Sequence, residues 1–123
     1  MRRALLGTVA AAALAAAGVL LPASTASAAL GDCPQGQFCV WDDDNYSGAR
    51  TGWGGNDPNW HDDGWGDRAD SLYNNGTPAT YDDVRVYMDV NYVNEDLCVV
   101  RGDYYDWGMD DNDYSSHQWT ASC

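Results

Sequence analysis

Few side chains in this sequence could take part in catalysis. The two histidines, His61 and His117, both stand beside polar residues. Ser115, Ser116 and His117 are contiguous, but successive side chains of an extended chain point to opposite faces, which separates a nucleophile from its base. The pattern of aspartates predicts no apolar pocket that would raise the pKa of one carboxyl of a pair. We therefore expect a protein that is not an enzyme.

The four cysteines indicate a different chemistry. An even number of cysteines in an exported chain favours two disulfides, and a zinc site is disfavoured because neither Cys-x-x-Cys nor His-x3-His spacing occurs. Three pairings are possible. We expect Cys33 to pair with Cys39 across the short turn Pro34-Gln35-Gly36, and Cys98 to pair with Cys123, which ties the last residue to an internal strand.

The first 28 residues have the three parts of a secretory signal peptide. The basic start Met1-Arg2-Arg3 precedes the apolar run Ala4 to Leu21, and small residues follow up to Ala28. We expect cleavage after Ala28, which leaves residues 29–123 as one small domain. The sequence therefore predicts a secreted, extracellular protein whose mature form has no membrane segment.

The chain is strongly acidic. It has 19 Asp and Glu residues against six Arg and no Lys, and because Arg2 and Arg3 leave with the signal peptide, the formal charge of the mature chain is −15. Such a surface repels polyanions, which excludes nucleic acids and acidic lipids as partners and favours cations and basic partners. We expect the mature protein to be a monomer.

Short segments rich in β-branched and aromatic residues predict strands at Phe38–Trp41, Val84–Tyr87 and Leu97–Val100. No helical periodicity extends beyond one turn. Turn signals separate the strands at a spacing typical of a sandwich, at residues 52–58, 62–64 and 74–76. The fold class is therefore expected to be all-β.

An internal repeat is visible at an offset of 46 residues, where Trp41–Gly48 aligns with Tyr87–Asn94. Asn94 fills the position of Gly48, and Asn is the residue other than Gly that most readily adopts a positive φ, so a tight hairpin is expected in both copies. Downstream, Gly66–Ser71 aligns with Asp111–Ser116 at an offset of 45. The repeat predicts two Greek keys, about residues 33–76 and 77–123, packed as one sandwich.

These residues carry a resemblance to a known family. The aromatic hairpin ending at Gly48 and the signature Asp111-Asn112-x-x-Ser115-Ser116 resemble a βγ-crystallin domain. The opening Cys33-Pro34-x-Gly36-x-Phe38-Cys39-x-Trp41 is similar to the secreted βγ-crystallin-like peptidase inhibitor family of the Streptomyces metalloproteinase inhibitor type. The resemblance implies a non-catalytic, extracellular inhibitor of peptidases.

The resemblance also implies structural calcium sites, and calcium does bind six to eight hard oxygens of the kind these loops offer. Each site would combine one copy's Asp/Asn stretch with a hydroxyl from the other copy and a hairpin carbonyl. The candidate ligands are the side chains of Asp67, Asp70, Asp111, Asn112 and Ser115, with carbonyl donors at Asp42 and Met88. Gly66 departs from the pattern, and Asp70 replaces a Ser or Thr. The alternative is that these are solvated turn residues.

The inhibitory segment implied by the resemblance is Cys98, Val99, Val100 and Arg101. In the family, a Cys-Val dipeptide precedes a loop closed by a nearby second cysteine, which is missing here. A looser loop should inhibit less well, because more entropy is lost on docking, although a disulfide from Cys98 to Cys123 would recover some rigidity. The expected partner is an extracellular metalloprotease. The alternative is an ordinary edge strand and turn.

Two further functions remain open at the level of sequence. One is a calcium-stabilised extracellular structural or stress module without a protease target. The other is a carbohydrate- or wall-binding module that uses exposed tryptophans. We expect Trp41 and Trp119 to lie in the core and the Gly-rich loop to carry the candidates for exposure, which are Trp53, Trp60 and Trp65.

Overall fold

The computed structural model describes residues 29–106 and 113–123. The predicted signal peptide, residues 1–28, lies outside this part of the chain. The described residues form seven strands and one 3-10 helix. In chain order these are β1 (Gln37–Asp43), β2 (Ser47–Trp53), the 3-10 helix (Trp60–Asp63), β3 (Ser71–Asn75), β4 (Asp83–Asp89), β5 (Val93–Val99), β6 (Tyr104–Tyr105) and β7 (Ser116–Thr120).

The strands form two antiparallel sheets, which confirms the all-β prediction. The first sheet has the order β2-β1-β3-β6 and the second has the order β5-β4-β7. Phe38, Val40 and Leu72 of the first sheet share one buried cluster with the apolar side chains of the second, Val84, Val86 and Val99. The core therefore lies between the sheets, as in a sandwich.

The side chains of strand β1 alternate between its two faces, and both faces are buried. Phe38 and Val40 face the core, whereas Cys39 and Trp41 belong to a second buried cluster with Cys33. The predicted Cys33–Cys39 disulfide is formed within this cluster, and the predicted Cys98–Cys123 disulfide joins β5 to the end of the chain. Both predicted pairings are thus confirmed.

The internal repeat appears as two matching hairpins. Ser71 Oγ donates to the carbonyl of Asp43 at 2.8 Å and accepts from the N–H of Tyr46 at 3.1 Å. Ser116 Oγ makes the same pair of bonds in the second copy, to Asp89 O at 2.6 Å and from Tyr92 N–H at 3.2 Å. Each serine ties the tip of its own hairpin to the returning strand.

The hairpin tips require left-handed backbone at equivalent positions. Gly48 has φ = 81° and Asn94 has φ = 63°, as the alignment predicted for the Gly and Asn of the two copies. The preceding Asn-Tyr pairs also lie in this region, with φ between 54° and 62° at residues 45, 46, 91 and 92. The sequence repeat therefore encodes a repeat of backbone conformation.

The two halves of the repeat exchange short segments. Strand β6 comes from the second half but pairs with β3 in the sheet of the first half. In the reverse direction, Asp57 of the first half forms an antiparallel bridge with His117 of β7. The expected division near residues 76 and 77 falls between β3 and β4, and both exchanges cross it.

The expectation of exposed tryptophans is wrong for Trp60 and Trp65, which are both buried. Trp53 is half-buried and stacks on Trp60 with ring centroids 4.7 Å apart. Trp65 is covered by the Arg68 guanidinium, which lies 4.1 Å from its ring centroid. Trp41 is buried as expected, and Trp119 is half-buried against the core. A loop rich in Gly folds inwards here because its aromatic rings pack on the core.

Among residues 29–106 and 113–123, no helix combines the length and the apolar character that a membrane span requires.

Candidate functional site

The segment expected to inhibit proteases lies at the end of β5 and in the turn that follows. Val99 pairs with Val84 in the second sheet, and its side chain is fully buried. Val100 is 46% exposed and Arg101 is also exposed. Strand alternation turns the Val99 side chain into the core, so within the expected segment Val100 and Arg101 are the residues exposed to solvent.

The exposed part of this segment is a tight turn. The carbonyl of Val100 accepts from the N–H of Asp103 at 2.9 Å, and Gly102 has φ = 90°. A positive φ at the third residue is what a type II turn requires, and glycine adopts it without steric cost. Residues 100–103 thus form a tight turn, named here the apical turn.

Asn74 of β3 holds the apical turn from beneath. Its backbone carbonyl accepts from Gly102 N–H at 2.8 Å, and its N–H donates to Asp103 O at 3.0 Å. Its side-chain amide donates to the carbonyls of Val99 and Asp82, both at 2.9 Å. The amide oxygen accepts from Gly76 N–H at 2.9 Å. Because Asn74 is fully buried, these bonds are shielded from competing water.

A second clamp holds the other end of the segment. The carboxylate of Asp83 accepts from the backbone N–H of Arg101 at 3.0 Å and from that of Cys123 at 3.1 Å. The Arg101 side chain donates through Nε to Asp82 at 3.1 Å. Asp83 therefore joins the apical turn to the end of the chain at the Cys98–Cys123 disulfide. Asn74 and Asp83 thus hold the apical turn through hydrogen bonds from two different strands.

The structure brings together two of the expected calcium ligands, one from each copy of the repeat. Ser115 Oγ lies 3.4 Å from Asp67 Oδ1. The backbone N–H of Asp67 donates to Tyr114 O at 2.9 Å, and that of Ser115 donates to Tyr87 O at 3.0 Å, which places the pair beside the hairpin that carries Met88. We call this place, where Asp67 and Ser115 meet beside the hairpin of Met88, the first location.

An imidazole fills this first location. His61 Nε2 lies 3.0 Å from Ser115 Oγ and 3.9 Å from Asp67 Oδ2. The ring lies over the α-carbon of Gly66, where an added Cβ would be only 2.2 Å from Nδ1. Calcium prefers oxygen ligands and needs at least six of them. An imidazole that is hydrogen-bonded to the Ser115 hydroxyl therefore does not fit such a site. As arranged here, the residues at this location do not form a calcium site.

The other expected calcium ligands include Asp70 and the carbonyl of Asp42, and we call their place in the fold the second location. Asp111 and Asn112 lie outside the described residues. Asp70 is half-buried, and its backbone N–H donates to Trp41 O at 2.8 Å. The Asp42 carboxylate accepts from Arg68 Nη2 at 2.9 Å and from Ala49 N–H at 2.9 Å, so its side chain is engaged within the protein.

The histidines have structural partners. His117 is fully buried, and its Nδ1 accepts from the indole N–H of Trp60 at 2.9 Å, so Nε2 carries the proton and donates to Gly55 O at 2.7 Å. Burial lowers the pKa of His117 to about 4, against the opposing effects of the Gly55 carbonyl and the Asp57 charge. At His61, both Ser115 and Asp67 approach the same ring nitrogen, so Asp67 is not placed to orient the ring as the acid of a nucleophile–base–acid triad would be.

Sequence patterns missed the two residues that hold the apical turn. Residues 74–76 were interpreted as a turn signal, but β3 continues through Asn75, and Asn74 is a fully buried strand residue. Asp83 precedes a predicted strand and has the appearance of one acidic surface residue among many. Only their long-range partners distinguish them.

Solved structures define the class of this fold. A βγ-crystallin from Ciona intestinalis aligns with a TM-score of 0.57 and 17% sequence identity, over 69% of this chain and 100% of the other. A βγ-crystallin domain from Clostridium beijerinckii aligns with a TM-score of 0.53 and 16% identity, over 70% of this chain and 99% of the other. The protein therefore has a βγ-crystallin fold.

The family model described as peptidase inhibitor family I36 matches residues 26–100 of the sequence. The chain belongs to this family. No curated protein gives a significant match to this chain. The match ends at Val100, so the remainder of the apical turn lies beyond the part that the family model covers.

Proposed function

We propose that this protein is a secreted, non-catalytic peptidase inhibitor that presents the apical turn to the cleft of an extracellular metalloprotease. Membership of peptidase inhibitor family I36 supports the general role. The observation that carries the assignment to this turn is its attachment to Asn74, which bonds residues on both sides of the exposed apex. Two disulfides fit an oxidising, extracellular setting, as does the signal peptide that the sequence predicts at residues 1–28.

Rigidity is the physical basis of the proposal. A loop that is already ordered loses little conformational entropy on docking, and that saving appears directly as affinity. Each of residues 100–103 has at least one backbone group bonded within the protein, so the turn would dock as a folded unit and not as an extended substrate. We expect it to be cleaved slowly for this reason.

Val100 is the side chain best placed to act as an anchor. It is the exposed apolar residue of the turn, whereas the Arg101 side chain next to it is engaged with Asp82. An apolar anchor suits a metalloprotease with an apolar subsite, and burial of a valine side chain contributes about 1.5 to 3 kcal/mol. Because Val99 is buried and Val100 is exposed, we assign the apolar anchor of this segment to Val100.

The test is a titration against three purified proteases: a thermolysin-like metalloprotease, a trypsin-like serine protease and a papain-like cysteine protease. We expect inhibition of the metalloprotease, and at least tenfold weaker inhibition by Val100→Asp, because this change puts an unpaired charge into an apolar subsite.

Val93→Asp is the matched control, since Val93 is 48% exposed at the start of β5, the strand that leads into the apical turn. It should inhibit like the parent. Equal inhibition by Val100→Asp and the parent would exclude the apical turn, and no inhibition of any of the three proteases would refute the proposed function.

We further propose that calcium stabilises the protein at the second location only, where Asp70, Asp111, Asn112 and the Asp42 carbonyl would supply the oxygens. The charge of the mature chain supports this, because it makes uptake of a divalent cation favourable. The His61 ring, whose Nε2 lies 3.0 Å from Ser115 Oγ, argues against the first location. Melting with and without calcium, in the parent and in Asp70→Ala, tests this assignment.

A further inference from the structure

A cavity of about 600 Å³ opens at a place that is separate from the apical turn. It lies among the turn at Gly36, the loop that follows β2, the connection between β3 and β4, and strand β7. This volume is within the usual range for sites that bind small molecules. Because none of residues 100–103 lines the cavity, inhibition through the apical turn does not account for it.

The lining is aromatic and polar but carries no charge in the described part of the chain. Two aromatic side chains, Tyr81 and Trp119, line it together with the neutral polar residues Asn56, Thr77 and Gln118. Tyr81 is 64% exposed. In a chain with 19 acidic residues, this surface has no group that would pair with an ionic ligand. The ligand chemistry that the lining favours is therefore neutral.

Glycines form much of the wall and keep it open. A Cβ added at Gly36 or Gly55 would meet no atom within 4 Å, and one at Gly54 would meet only the Gly36 carbonyl at 3.7 Å. Side chains at these positions would therefore project into open space. Backbone N–H and C=O groups can approach a ligand closely where no side chain covers them.

Trp119 is held in place before any ligand binds. Its indole N–H donates to Gly55 O at 3.1 Å, and its backbone N–H donates to Asn56 Oδ1 at 2.7 Å. A Cβ added at Gly76 would lie 2.9 Å from the indole ring, which shows how closely the ring packs on the backbone there. The aromatic surface is thus preorganised, which reduces the entropy lost on binding.

We propose that this cavity binds a neutral oligosaccharide of a polysaccharide surface. The C–H faces of sugar rings pack on aromatic rings, and their hydroxyls pair with amide, hydroxyl and backbone groups, all of which are present here. A proline-rich peptide is the competing class, but its recognition uses a groove lined chiefly by aromatic residues, and most of this lining is glycine and small polar groups. Binding would hold the protein on a neutral glycan matrix without using the apical turn.

The experiment is co-sedimentation of the purified protein at neutral pH with insoluble cellulose, β-1,3-glucan and chitin, followed by calorimetry with soluble oligosaccharides of whichever binds. We expect binding to at least one of them. Tyr81→Ala should weaken it at least tenfold, and so should Gly55→Leu, which adds a bulky side chain at a residue that lines the cavity.

Tyr104→Ala is the matched control, because Tyr104 is 53% exposed but does not line the cavity. It should bind like the parent, and all variants should melt within a few degrees of it. No binding to any of the three polysaccharides would overturn the proposal. Binding that survives both Tyr81→Ala and Gly55→Leu would overturn it as well, and so would binding to a polyproline peptide but not to glycans.

Discussion

Val99 and Val100 are adjacent in the sequence, but the side chain of Val99 is buried in the core and that of Val100 is exposed to solvent. Val99 is fully buried against the first sheet's core residues, and Val100 is 46% exposed at the start of the apical turn. One step along a strand reverses the direction of the side chain. Of the Cys-Val-Val run, the first valine therefore supports the fold, and only the second is available to a partner.

The first prediction follows from this difference. Val99→Ala should lower the free energy of unfolding by about 2 kcal/mol, because it removes buried methyl groups and leaves a cavity. Val100→Ala should change it by less than about 0.5 kcal/mol, as exposed sites usually do. Denaturant unfolding of both variants measures this. Similar stabilities for the two would show that Val99 is not a core residue.

The second prediction concerns Asn74. Asn74→Asp keeps the shape of the side chain but removes both N–H donors that bond Val99 O and Asp82 O, at a cost of about 1 to 3 kcal/mol for each unsatisfied carbonyl. The apical turn should then loosen. We expect at least tenfold faster cleavage within residues 100–103, and weaker inhibition, measured by mass spectrometry and protease kinetics well below the melting temperature.

Asn75→Asp is the control for that change. Asn75 lies next to Asn74 on β3, and its side-chain amide donates to Cys33 O, away from the apical turn. This variant should lose stability without faster cleavage of the turn. Asn74→Ala repeats the test without a buried charge. If the Asn74 and Asn75 variants are cleaved at equal rates, Asn74 has no specific role in holding the turn.

The third prediction concerns His61 and calcium. His61→Ala removes the imidazole from Ser115 and Asp67, so it should create a calcium-binding location that the parent lacks. A ligand at a hundredfold excess over its Kd stabilises a folded protein by about 2.7 kcal/mol. The melting temperature of His61→Ala should therefore rise more with millimolar calcium than that of the parent. An identical response, or a parent whose calcium binding is lost in Asp67→Ala, would contradict the exclusion of calcium by His61.

The fourth prediction is a pH dependence. Burial lowers the pKa of His117 to about 4, whereas an unfolded histidine titrates near 6.5. As the pH falls, the unfolded state therefore binds a proton at a higher pH than the folded state does. The contribution of neutral His117 to stability is complete above pH 6.5 and declines as the pH falls towards 4. This contribution of His117 to the free energy of unfolding is about 3 kcal/mol.

His117→Gln tests this dependence. The glutamine amide can accept from Trp60 and donate to Gly55 as the imidazole does, but it does not titrate. Melting temperatures of the parent and this variant, compared between pH 7 and pH 4, separate His117 from the carboxylates that both proteins share. The parent should lose more stability than the variant, and parallel curves would show that His117 titrates normally.

Features determined by local backbone chemistry could be predicted from the sequence. Gly48 and Asn94 occupy equivalent left-handed positions because only residues that tolerate positive φ fit the hairpin tip. The pairing of Cys33 with Cys39 follows from a short turn that brings them together. The strands follow from β-branched and aromatic runs between turn residues. In each case the signal lies within a few residues of the structure that it specifies.

Tertiary structure alone decided which of these residues are available to a partner. The Gly-rich loop could have exposed Trp60. Instead, the indole N–H of Trp60 donates to the buried His117 on β7, 57 positions away in the chain. The lack of a side chain at Gly66 indicated a departure from a calcium site, and only folding placed the His61 ring in that space. Asn74 is one of two adjacent asparagines, and long-range bonds to Val99 and Gly102 distinguish it from Asn75. A sequence pattern records local preferences, whereas burial and hydrogen bonding between distant segments depend on how the two sheets and their loops pack together.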